Sequence, residues 1–162
     1  LQDSSWVARH LGRSATVLCA SPQWLQVHGS TLQHPAELAQ LPWLELSRNE
    51  AVQTDFLWHN HSTGQEYRLQ VLPQMVSNHR SAVQQFCEAG LGIALLSAHD
   101  VAASLKSGML VRLLPEWDMG MLDIWAVTAS RDTLPAKVRE AINVLRQYFA
   151  QLDGVQSTVA LT

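Results

Sequence analysis

Seven histidines and two cysteines are the residues of this 162-residue chain best suited to hold a metal or form a covalent intermediate. His59 and His61 stand two apart where a strand runs into a turn, a spacing that puts both rings on one face. A metal site needs a third and usually a fourth ligand, and the neighbouring sequence supplies none. Cys19 and Cys87 each sit inside an apolar run, the setting of a buried thiol, and neither has a companion pattern of His and Asn. No G-x-S-x-G and no G-x-x-x-x-G-K-[ST] occurs, and Gly90-Leu91-Gly92 is not a dinucleotide fingerprint. The chain therefore does not read as an enzyme, and no metal or cofactor is expected. The six tryptophans read as core, with Trp58, beside a polar loop, the one to watch.

What the sequence does offer is a place for an anion. Residues 76–108, VSNHRSAVQQFCEAGLGIALLSAHDVAASLKSG, read as helix, glycine turn, buried strand and second helix. Ser77 or Asn78 is expected to cap the first helix, whose apolar positions Ala82, Val83, Phe86 and Cys87 share one face. Gly90 ends it. The polar-free run Ile93-Ala94-Leu95-Leu96 fits a strand covered on both faces. Ser97 and Asp100 match a capping box, Val101, Ala102 and Leu105 form the stripe of the second helix, and Gly108 closes it. Two helix starts, near Asn78 and Ala98, thus flank one strand. Each carries unpaired N–H groups and about half a positive charge, enough to receive a carboxylate.

The remaining elements must position that segment. Residues 1–13 read as a packed segment, carried by Trp6, Val7 and Leu11, and Ser14 to Ala20 as a strand. A short helix follows from Pro22 to a stop at Gly29, then a helical turn in PAELAQL and a strand over Pro42 to Leu46. SRNEAVQT, residues 47–54, is a polar loop, the kind of segment where binding groups collect. Phe56 to His59 and Glu66 to Leu72 form a hairpin whose second strand alternates Tyr67, Leu69 and Val71 with Arg68 and Gln70. Met109 to Leu114 and Leu122 to Ala129 are two more strands, with Pro115 to Gly120 a loop between them. Pro135 to Leu152 is an amphipathic helix whose stripe is Val138, Ile142, Leu145, Phe149 and Leu152, widened by Ala141 and Tyr148. Strands and helices alternate, which argues for an α/β sheet.

Composition narrows the function classes. With 47% hydrophobic and 15% charged residues the chain is that of an ordinary globular protein. A formal net charge of −3, from 11 basic and 14 acidic residues, is not built to hold a phosphate backbone. No run approaches a membrane span, the start LQDSSWVARHL lacks a signal-peptide pattern, and the two thiols favour a reducing, cytoplasmic setting. The opening without methionine reads as a cut into a longer protein.

The order of segments carries a resemblance. EAGLGIALLSAHDVAASLKSGMLVRLL followed by PAKVREAINVLRQYF, with DSSWVARHLG, TVLCASPQWLQVHG and PAELAQLPWL upstream, resembles the effector-binding domain of the LysR-type transcriptional regulators, from Asp3 to about Leu152. That resemblance implies an α/β, periplasmic-binding-protein-like (type II) two-lobed fold with a small-molecule effector in the cleft. It also implies assembly as a homodimer or tetramer, and DNA contact only through an N-terminal helix-turn-helix absent from this chain. In the family's layout residues 1–13 end lobe one, 14–113 form lobe two and 114–162 return to lobe one, leaving the first lobe incomplete. The effector site would comprise Ser47, Arg48 and Asn49 after the Trp43 to Leu46 strand, faced by Ser77, Asn78 and His79 at the helix start. Arg48 suits two-point pairing with a carboxylate, so a small anionic effector is expected. One departure is Ser97, where the family usually has proline. The alternative is a solute-binding protein of a transport system, which shares the fold.

Overall fold

The computed structural model describes residues 6–28, 32–47, 53–129, 134–152 and 155–157. Its organising element is β1, Trp6–Ala20, a strand of 15 residues that serves two neighbourhoods in turn. Its first part, Trp6 to Ala15, pairs antiparallel with β9, Met121–Ala129, and over Gly12 to Ser14 also with β10, Val155–Ser157. Its second part, from Thr16, pairs with β6, Ile93–Ser97, and β7, Val111–Leu113. Thr16 marks the change, donating its N–H and its hydroxyl to the Gly120 carbonyl, each at 2.9 Å. The separate strand expected from Ser14 is thus the second half of a longer one. Hydrogen-bonding partners on both sides keep the backbone extended through Arg13, where local composition showed no strand.

Beyond β6 the sheet continues with β2, Trp43–Leu46, and β5, Met75–Ser77, both parallel to their neighbours. Residue alternation divides the core between two faces. Leu18, Trp43 and Ile93 point into the larger cluster with Trp24, Trp58 and Leu69; Val17, Cys19, Leu44, Ala94 and Leu96 point into the smaller one. The smaller cluster is covered by α2, Arg80–Glu88, and α3, Ala98–Ser107, through Val83, Cys87 and Val101. Phe86, expected in the core, is half-buried at its rim. The larger cluster is closed by α1, Pro22–His28, the 3-10 turn Pro35–Leu38, and a three-stranded sheet. That sheet joins β3, Thr54–Asn60, and β4, Glu66–Val71, to the two-residue strand β8, Trp117–Asp118, within what reads from sequence as a loop. Trp58 belongs to this core, fully buried against Trp43 and Phe56.

Gly90 and Gly92 set the geometry between α2 and β6. Gly90, at φ 78°, closes α2 with its N–H on the Cys87 carbonyl while Leu91 reaches Phe86, the paired bonds of a Schellman turn. Gly92 lets the chain pass so close to Pro42 that a Cβ would meet the Pro42 oxygen at 2.4 Å. The last helix, α4, Ala136–Ala150, carries the expected apolar stripe, but only Ile142 is buried. Leu145 and Tyr148 remain exposed, because among the described residues the helix meets mainly β1 and β10.

Candidate ligand-binding cleft

The carboxyl ends of the parallel strands β2, β5 and β6 and the first turns of α2 and α3 converge on one side of the sheet. This is the edge at which open α/β sheets hold ligands. The two segments expected to form the site meet there: the Ser47 N–H donates to the Ser77 carbonyl at 3.0 Å, extending the β2–β5 ladder. Ser77 and Ser47 are half-buried, and Asn78 and His79 are exposed. Arg48 and Asn49 lie outside the described residues.

The helix starts differ from expectation. The N-cap of α2 is His79, without a side-chain cap, rather than Ser77 or Asn78. The Ser77 hydroxyl instead accepts the His79 N–H at 3.1 Å, a local turn that spends the side chain one step before the helix. At α3, Ser97 is the N-cap residue, but the capping box with Asp100 does not form. Asp100 Oδ1 instead lies 3.1 Å from His99 Nε2, and the Ser97 hydroxyl turns to His99 Nδ1 at 2.8 Å. The free His99 N–H is served from another element, by Ser14 Oγ of β1 at 3.4 Å.

Between these groups lies a cavity of about 210 Å³. Its walls are largely apolar, from Leu46, Phe56, Val83, Leu95 and Leu122, and it holds two charged side chains, Glu45 of β2 and Arg80 of α2. Thr54 Oγ1 of β3 lies 3.0 and 3.1 Å from the two Glu45 oxygens. Arg80 reaches Asp100 through Nη1 at 3.3 Å. A second, more polar hollow of about 250 Å³ adjoins the first and shares Arg80, Ser97 and Leu122 with it. There Asp123 of β9 binds His10 at 2.8 Å and Arg13 at 3.2 Å, both on β1. Leu122 and Asp123 belong to the β1–β9 ribbon, whereas Glu45 and Arg80 belong to the sheet and helices beyond Thr16. A molecule in the cleft therefore touches both.

Arg80 and Glu45 are the cleft residues that sequence reasoning missed. A signal for Arg80 existed: a cation in the first turn of a helix opposes the macrodipole, and α2 has no acidic residue there to offset it. Such a local misfit often marks a functional position. Of the paired histidines, His59 bonds Glu66 across the β3–β4 hairpin at 3.0 Å, and His61 is tied by its backbone N–H to the Glu116 carbonyl at 2.9 Å. No group of three or more His, Cys, Asp or Glu among the described residues is placed to hold a metal ion.

The model of the LysR substrate binding domain matches residues 1–150. The chain belongs to the LysR substrate-binding-domain family. Among curated LysR relatives, the HTH-type transcriptional regulator DmlR of Escherichia coli K12 is 37% identical over 145 residues, 90% of this chain and 46% of that protein. The HTH-type transcriptional activator AaeR of the same organism is 31% identical over 152 residues, 94% and 48% of the two chains. This chain thus spans about half the length of the curated relatives it matches. The regulatory domain of CrgA, a LysR-type transcriptional regulator from Neisseria meningitidis, superposes with a TM-score of 0.72 at 26% identity, over 91% of this chain and 71% of that one. Full-length AphB, the Vibrio cholerae virulence activator, gives 0.69 at 28% identity, over 91% and 49%. The LysR fold here is accordingly α/β and of the type II periplasmic-binding-protein-like class. Among the described residues, no helix is long and apolar enough to cross a membrane.

Proposed function

We propose that this chain is the effector-sensing part of a cytoplasmic LysR-type transcriptional regulator, binding a small molecule in the cleft around Arg80. The observation that carries the reading is the cavity whose lining joins Arg80 and Leu46 on one side to Leu122 of the β1–β9 ribbon on the other. An effector that contacts both favours one relative arrangement of the two parts. It shifts the population by no more than its difference in affinity between them. In the assembled dimer or tetramer that shift alters how the DNA-binding regions, outside this chain, are presented. The point at which β1 changes partners, Ala15 to Thr16, supports the division into lobe two over 14–113 with 1–13 and 114–162 in lobe one. Ser47, Arg48, Asn49, Ser77, Asn78 and His79 are retained as cleft residues, with Arg80 and Glu45 added. The names of the curated relatives are those of DNA-binding regulators, which favours this reading over a transport protein.

Thermal melts against small carboxylates, aromatic acids, amino acids and sugars test it. A ligand at a hundred times its Kd adds about 2.7 kcal/mol, a rise in Tm of roughly 5–10 °C at this length. Arg80→Ala should remove most of that rise. The variant itself should melt within a few degrees of the parent, since the half-exposed Arg80–Asp100 pair is worth about 0–1 kcal/mol. A compound whose shift survives Arg80→Ala binds elsewhere. A melt that no compound moves counts against the sensing role.

A further inference from the structure

We infer that the effector is a small zwitterion, a carboxylic acid that also carries an ammonium group, as an amino acid does. This rests on the reading of the cleft as an effector site and specifies what that site selects. Glu45 and Arg80 line one cavity at the end of β2, Glu45 from the sheet face that meets Thr54 and Arg80 from the start of α2, yet no ion pair joins them. Arg80 commits only Nη1, to Asp100, and keeps Nη2 and Nε for a two-point bond with a carboxylate. Glu45 has acceptor sites to spare. The single Thr54 hydroxyl hydrogen serves one of its two oxygens at a time, although the hydroxyl lies within 3.1 Å of both, and an ionised carboxylate has about four acceptor sites.

A half-buried carboxylate with acceptor sites to spare, in a cavity with apolar Phe56 and Leu122, suits a cation. A plain monocarboxylate at Arg80 would bring a second negative charge into the same small space and leave Glu45 unmet. An amino acid satisfies both groups, its carboxylate on the Arg80 fork and its ammonium on Glu45, while the apolar walls take an uncharged side chain. The volume, about 210 Å³, is below the roughly 300–1,000 Å³ of cavities that take drug-sized ligands, which fits a molecule of amino-acid size.

The test pairs each of the twenty L-amino acids, together with β-alanine and 4-aminobutyrate, with the same acid lacking the amine. Melts and calorimetry are run on this chain and on Glu45→Gln, which retains the shape and the Thr54 contact. At least one amino acid should raise the Tm. Its deaminated partner should bind about 10- to 100-fold more weakly, the worth of a hydrogen bond between charged groups. Glu45→Gln should collapse that ratio toward one while its unliganded melt stays near that of the parent. Deaminated acids that bind as well as or better than the amino acids overturn the zwitterion and leave the sensing role standing. If neither set moves the melt, the zwitterion falls together with that role.

Discussion

Replacing Gly92 with alanine tests the close approach between β6 and the chain entering β2. A Cβ on Gly92 would lie 2.4 Å from the Pro42 carbonyl oxygen, 3.1 Å from Leu44 Cγ and 3.2 Å from the Pro42 carbonyl carbon. The oxygen is backbone and cannot swing aside like the tip of a side chain, so the chain at Pro42 has to withdraw until the contact reaches at least 3.0 Å. That same oxygen accepts the Ile93 N–H at 2.9 Å, and Ile93 is fully buried. Withdrawal strands a donor where no water replaces it. Overpacking of this kind costs about 1–3 kcal/mol and an unmet buried N–H a similar amount. Sharing one displacement, the two do not add in full. Alanine recovers about 0.4–1 kcal/mol by narrowing the unfolded ensemble. The expected net loss is about 2–3 kcal/mol, a fall in Tm of roughly 4–12 °C at this chain length. Gly64→Ala is the reference. Gly64 has φ 71° with nothing within 4 Å of the added carbon, so only left-handed strain of about 1–2 kcal/mol is at stake. Thermal and urea melts run side by side decide the matter: Gly92→Ala at or above the stability of Gly64→Ala would refute the close approach.

Two further predictions concern the core. Burial pushes the Cys19 and Cys87 thiols up from 9.0 to about 12, so neither should react with a thiol reagent at pH 8 until the chain unfolds. Labelling of the native protein within minutes would contradict their placement. Folding also holds on each thiol a proton that the unfolded chain releases above pH 9. That contribution is intact below pH 9 and lost as the pH climbs toward 12. The Tm should fall across that window, less steeply in a Cys19→Ala, Cys87→Ala double variant. Trp43 donates its Nε1–H to the buried Leu38 carbonyl at 2.9 Å, whereas the buried Trp58 Nε1 has no partner. Trp43→Phe should therefore exceed Trp58→Phe in cost by about 1–3 kcal/mol, the penalty of leaving that carbonyl unmet. Equal losses in urea melts would show that the bond contributes nothing.

Elements with their own periodicity and punctuation were legible in the sequence. Gly90 and Gly108 mark the ends of α2 and α3, and the alternation from Tyr67 to Val71 gives the buried face of β4. The stripe of α4 is present as its period indicates, but period names a face and not what covers it, which is why Leu145 and Tyr148 stand exposed. The strands β5 and β8, three and two residues long, are too short to carry a pattern and exist because a neighbouring strand pairs with them. The cleft was legible in outline: Ser47 and Ser77 do meet. Its charged groups were not, because the partners that fix them come from afar. Asp100 turns to Arg80 on a different helix, and the α3 start is served by Ser14 from β1. A local motif such as Ser97 with Asp100 is silent about such competitors.

The long first strand also sets the order in which this protein assembles. Thr16 has to wait for Ser97, and Trp6 for Ala129, before either finds its neighbour across the sheet. At a synthesis rate of about 5–20 residues per second, that leaves β1 on the ribosome without its partners for on the order of ten seconds. Pairings so distant along the chain also slow refolding, since the entropy of closing the loop is lost before the ladder forms. For that interval the strand offers free edges to any other extended chain. Expression yield should therefore respond to chaperone supply and to growth temperature more than the stability of the finished fold alone would suggest.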